Sequence, residues 1–267
     1  MLRSSGAVFD LRAAMSDELR AALDILPRVS EEPRALHACR VRVKRARALA
    51  RVGHACAPGL SAVFNDTARG LMRMLGRVRD LEALGEAART LAKAASRKKQ
   101  SAALLKIAEA LNAEAKDAPA LNMDVARAGL KDLLALAAVW PEASPRQVRR
   151  GARRVMRRAR KARRRSLDKS NAMHRHEWRK RSKDRFYAAT LLDTAWPGAR
   201  KRKLGEKLGD ALGRERDALL LLDRLNERPE TAGAPKAMKH ARKALKKHRQ
   251  KLRRRADKIG ARLASGG

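Results

Sequence analysis

His37, Arg40, Lys44 and Arg47 follow one another at intervals of three, four and three residues. His176, Arg179 and Lys183 repeat the opening of that series 139 residues later, with Lys180 next to Arg179. On an α-helix, offsets of 0, 3, 7 and 10 fall at about 0°, 300°, 340° and 280°, so the first set occupies one arc of about 80°. Arginine presents a planar fork of donors and lysine a compact point charge. Cations three or four residues apart on a helix lie about 5–6 Å from one another. Such a row matches the successive charges of an extended phosphate-type polyanion. Histidine can donate to an anion or orient a neighbour. The two histidines equally suit a structural hydrogen bond across a helix bundle, and both roles stay open on the sequence.

Val41, Ala48 and Val52 fall at about 40°, 20° and 60° on the same wheel. A solvated charge face usually lies opposite the apolar stripe. This one adjoins it, which puts the cations at the edge of the core, where two halves of the chain would meet. In the second copy Phe186 takes the place of Arg47, and Lys180 falls toward the apolar side. Arg69 and Arg73, four apart, and Lys203 and Lys207, also four apart, extend the cationic set onto the following helix of each half. Helix pairs from both halves are expected to turn these cations toward one groove or channel.

The elements that position these residues are also doubled. Each cationic helix is followed by Leu-Gly-x-x-Arg-Asp, first at Leu75–Asp80 and again at Leu212–Asp217. Asp80 and Asp217 read as partners that orient arginines. Ala and Leu supply most of the apolar content, and with Arg, Lys and Glu they are strong helix formers. Aromatic residues make up only 3%. Patterning and Pro/Gly punctuation predict helices over about 9–26, 30–56, 61–94, 99–116, 122–139, 146–165, 172–195, 199–227 and 235–263. The expected fold is all-α: two pseudo-symmetric, antiparallel four-helix-type bundles, spanning 8–140 and 141–263, in one unit. The wealth of Ala and Arg points to a GC-rich bacterial genome.

Charge is the extreme property. The 65 Lys and Arg against 28 Asp and Glu give a formal net charge of +37 over 267 residues. A fold with that charge repels itself, and a bound polyanion relieves the repulsion. Other chemistries fit less well. His37-x-Cys39 and His54-x-Cys56 resemble paired metal ligands, but residues two apart on a helix point about 200° away from each other, and zinc needs convergent ligands. No phosphate-cradling glycine loop and no acid cluster near the histidines supports catalysis or a magnesium site. No cofactor is expected. Two cysteines imply no disulfide framework. The N-terminus lacks a signal core, and no stretch approaches the length of a membrane span, so a cytoplasmic, monomeric protein without membrane contact is expected. Nucleic acid is the alternative partner on charge alone, although aromatic residues for base stacking are scarce.

Taken together, the doubled motifs resemble the CHAD domain, the conserved histidine α-helical domain, whose repeat begins His-x-x-Arg-(Lys)-x-x-Lys. The resemblance covers about residues 8–262. It implies two helical bundles around a basic central pore, inorganic polyphosphate as the ligand and association with polyphosphate granules. It carries the polyphosphate-binding role to His37, Arg40, Lys44, Arg47, Arg69, Arg73, His176, Arg179, Lys180, Lys183, Lys203 and Lys207. Relatives with an N-terminal triphosphate-tunnel domain carry a Glu-x-Glu-x-Lys signature; this sequence has none, so binding without catalysis is expected. Phe186 at the Arg47 position and Asp210 at the Arg73 position imply an asymmetric groove.

Overall fold

The computed structural model describes residues 9–265 except Pro33, Val78, Arg79, Ala118, Pro119, Lys169 and Ser170, together with the side chains of Ser30, Arg77 and Asp80. Ten α-helices account for most of the described chain, and no strand occurs among the described residues. They are α1 (Leu11–Ile25), α2 (Ala35–Gly53), α3 (Pro58–Arg77), α4 (Asp80–Lys93), α5 (Lys98–Lys116), α6 (Met123–Ala138), α7 (Pro145–Asp168), α8 (Ala172–Leu192), α9 (Arg202–Glu227) and α10 (Pro235–Ala264). The all-α expectation holds, as do most helix limits.

The helix starts follow from side chains that satisfy the first orphan N–H groups. The N–H groups of Ala13, Val125 and His174 donate to Oδ1 of Asp10, Asn122 and Asn171, at the starts of α1, α6 and α8. At α7 a reciprocal box forms: Gln147 N donates to Ser144 Oγ, and Ser144 N donates to Gln147 Oε1. The second helix, expected from about residue 30, begins later: Leu26–Ser30 is a 3-10 turn, and α2 begins at Ala35.

The helix expected over about 61–94 is described as α3 and α4, and Val78 and Arg79 between them, within the first Leu-Gly-x-x-Arg-Asp motif, lie outside the described residues. The second copy of the motif runs uninterrupted inside α9.

The chain forms two compact units, and neither coincides with a sequence repeat. Of the described residues, one comprises those of 9–75 and 121–205; the other comprises those of 76–120 and 206–265. The first holds α1, α2, α6, α7 and α8, most of α3, and both His-x-x-Arg motifs. Its core contains Met15, Leu19, Leu49, Phe64, Leu130, Trp140 and Trp178, all essentially inaccessible to solvent. The second unit packs α4, α5, most of α9 and α10 around Leu104, Ile107, Leu111, Leu221, Leu225 and Leu245.

Small residues bring the helices of the first unit close. A Cβ at Gly151 would lie 1.9 Å from the carbonyl oxygen of Val52, so α7 crosses α2 almost backbone to backbone. A Cβ at Gly53 would lie 2.6 Å from the Trp140 ring, which meets Phe64 edge-on at 6.0 Å. Val148 and Val155 of α7 are buried. Thus the apolar side of this very basic helix serves packing.

Candidate functional site

The cationic helix α2 is anchored on the side away from its motif arc. Glu18 of α1 is 5% exposed and accepts from Arg45 Nε at 2.8 Å and Arg42 Nη1 at 3.2 Å. These two cations lie at about 80° and 140° on the wheel that starts at His37. Their charge therefore has a local counterpart, and the pair of bonds fixes the rotation of α2. With that rotation set, the motif arc grades from solvent into the interior. His37 is exposed, Arg40, Lys44 and Arg47 are half-buried, and the next residue on the arc is Arg51.

Arg51 was not among the sequence candidates, although it continues the same spacing four residues beyond Arg47. It donates through Nη1 to Oδ1 of Asp184 on α8 at 2.8 Å. Arg181 Nη1 reaches Oδ2 of the same carboxylate at 3.2 Å and its Nε reaches Glu177 at 2.7 Å. Burial pushes Arg51 below the ordinary arginine range, with Asp184 acting against that shift.

Arg47 has the less favourable position. Burial, and the nearby charges of Arg51, Arg69 and Arg181, push it down to about 10 despite Asp184. Its Nε is buried and makes no hydrogen bond. A cation held this way favours any ligand that returns negative charge to it.

The structure thus brings Arg47 and Arg69 together, with Arg51 and Arg181 added. Arg69 and Arg73 are exposed on α3, and Arg69 also pairs with Asp66 at 3.0 Å. On α8, His176, Arg179 and Lys183 are half-buried, while Lys180 is exposed and paired with Glu177 at 3.2 Å. The Nε of Arg179 is buried without a hydrogen bond, as at Arg47. Lys203 is exposed at the start of α9, and Lys207 is exposed in the other compact unit. The side chain of Asp80 lies outside the described part of the structure. Asp217 lines a separate cavity with Arg214 and His248. Cys39 is buried, and that burial raises its thiol to about 11, with Arg40 acting against the shift.

A family model for the CHAD domain matches residues 13–226. The chain belongs to the CHAD family. Among solved structures, this CHAD chain is similar to the crystal structure of the CHAD domain from the plant Ricinus communis. Identity is 22%, the TM-score is 0.61, and the match covers 97% of this chain and 94% of that one. At that identity the likeness speaks for the fold. No curated protein matches.

Within this CHAD fold the second motif differs locally from the first. Phe186, at the Arg47 position, has the Lys183 ammonium over its ring at 5.7 Å. It also lies against Gly205, where a Cβ would meet the ring at 3.2 Å. An aromatic contact with the start of α9 therefore stands where the first copy has a cation. Among the described residues no helix is long and apolar enough to cross a membrane.

Proposed function

We propose that this CHAD chain binds inorganic polyphosphate, without catalysis, through the cations of the α2 and α8 arcs, and that it acts at polyphosphate granules in the cytoplasm. The observation that carries the reading is Arg47. It is a cation with a buried, unbonded Nε, pushed down to about 10 by burial and by three neighbouring arginines. Arg40, Lys44 and exposed His37 lead from it toward solvent along one helix face. A flexible chain of repeated negative charge follows such a row more readily than a single anion or a rigid duplex does.

The aromatic residues argue against single-stranded nucleic acid. Trp140, Trp178 and Trp196 are only 1%, 1% and 4% exposed, so their rings are engaged in packing and offer no platform for bases. Duplex DNA keeps only the general attraction of a +37 chain.

Competition decides between the partners. Long-chain polyphosphate and duplex DNA of equal total charge are titrated against the full chain at about 0.15 M salt, the range where exposed charges are strongly screened. Polyphosphate is expected to bind more tightly. Equal or tighter binding of DNA would make this a nucleic-acid binder.

A further inference from the structure

A second group of cations lies on the other side of α8. Arg154, Arg158, Lys161 and Arg165 of α7 line a cavity of about 420 Å³. Their offsets of 0, 4, 7 and 11 place them on one stripe, within about 60° of arc and about 16 Å long. Across the cavity, α8 contributes His174, Glu177 and Arg181. Counted from His176, those three lie at about 160°, 100° and 140°, whereas His176, Arg179 and Lys183 occupy about 300–360°. The cavity therefore opens on the side of α8 turned away from its motif arc.

The charge in this cavity is unbalanced. Five Lys and Arg face one carboxylate, Glu177. Glu177 is itself engaged by Arg181 at 2.7 Å and by Lys180 at 3.2 Å. Burial would raise its carboxyl, but Arg181 and Lys180 hold it below the usual range. The α7 cations pay for their crowding: burial lowers Arg158, and Arg181, Arg154 and Arg51 add to that effect. The ring of His174 is held with Nδ1 2.8 Å from Asn171 Oδ1. The start of α8 also brings the positive end of a 21-residue helix to this wall.

The geometry points to a separate, saturable site between α7 and α8 for a short phosphate chain, inorganic or carried on a nucleoside. The volume lies in the range of small-ligand pockets, and a duplex is too wide to enter it. The length of the stripe favours several linked phosphates, because a single orthophosphate reaches one or two cations at a time. This inference does not depend on where long-chain polyphosphate binds.

The test uses the full chain with two probes, sodium tripolyphosphate and a nucleoside triphosphate, followed by calorimetry at about 0.15 M salt. In the triple variant R154A/K161A/R165A, affinity for tripolyphosphate is expected to fall at least tenfold, about 1.4 kcal/mol. The control variant R149A/R153A/R164A removes three exposed cations from a different arc of α7, centred about 120° from the stripe, and should bind nearly as the wild type does. Tighter binding of the nucleotide would identify a nucleoside carrier; tighter or equal binding of tripolyphosphate would identify the inorganic chain. Equal losses in the two triple variants would overturn the site in favour of diffuse charge. Absence of binding to the wild type would also overturn it, as would loss confined to the α2 and α8 arc variant R40A/K44A/R179A/K183A. Long-chain polyphosphate titrated against that last variant tests the motif arcs separately, so failure of one site is distinguishable from failure of the other.

Discussion

Arg51 and Asp184 join the two motif helices through one hydrogen-bonded ion pair of 2.8 Å, with side chains 16% and 13% exposed. Residues 133 apart in sequence are thereby linked. The same carboxylate holds Arg181 at 3.2 Å and stands near Arg47. Asp184 is therefore a shared counter-charge for three arginines, and it helps to make their concentration tolerable in the folded state.

Removing a shared counter-charge costs more than removing one of its cations. Asp184→Asn is expected to destabilise the protein by about 3 kcal/mol, because it leaves buried like charges uncompensated. Arg51→Met should cost less, since Arg181 and Arg47 remain to satisfy the carboxylate. The double variant Arg51→Met/Asp184→Leu should recover part of the loss, because a well-packed apolar pair can replace a buried ion pair. Urea unfolding of the three variants checks the order. A larger loss in Arg51→Met than in Asp184→Asn would contradict it.

Arg47 illustrates what was legible in the sequence. Its spacing from His37 showed which residues share an arc, because helical angle depends only on counting. Its burial was not legible, since that depends on the rotation of α2, which Glu18 sets from α1, 24 and 27 residues before its partners Arg42 and Arg45. Arg51 shares the same spacing and was legible in principle, but not as the partner of Asp184. The α7–α8 cavity was partly readable too: the 0, 4, 7, 11 stripe is present in the sequence, yet nothing local shows that Arg181 and His174 face it. The helices themselves were well marked by Pro, Gly and capping residues. The partition into compact units was hidden, because it depends on which helices pair across long intervals.

The low value of Arg47 has a consequence with a definite sign. Below about pH 10 the residue is charged in both the folded and unfolded chain, and its folded environment disfavours that charge. The cost is thus fully present at neutral pH and is relieved as pH rises from about 10 toward the ordinary arginine range. Arg47→Met should stabilise the free protein at pH 7 by of order 1 kcal/mol, while it weakens polyphosphate binding. Thermal unfolding and a binding titration on the same preparation check both directions. A destabilised variant would show that the ion-pair network gains more from Arg47 than burial costs.

Gly151 has no room for a side chain. Gly151→Ala puts a Cβ 1.9 Å from the Val52 carbonyl oxygen, and neither backbone can yield cheaply inside two helices. The expected loss is about 3 kcal/mol, at the upper end of ordinary overpacking. Polyphosphate affinity should fall as well, because Val52 is adjacent to Arg51 on the arc-bearing helix. Unfolding in urea measures the first effect, and titration under conditions where the variant remains folded measures the second. A neutral substitution would mean that α7 crosses α2 at a greater distance.

The most direct test of the central claim is the affinity of long-chain polyphosphate for two quadruple variants at matched salt. R40A/K44A/R179A/K183A removes cations of the two motif arcs. R149A/R153A/R157A/R164A removes four exposed cations from one side of α7. Both reduce the net charge of +37 by four. The expected result is a loss of at least tenfold, about 1.4 kcal/mol, for the first variant and a clearly smaller loss for the second. Equal losses would contradict a defined site on the α2 and α8 arcs and leave only diffuse electrostatic attraction.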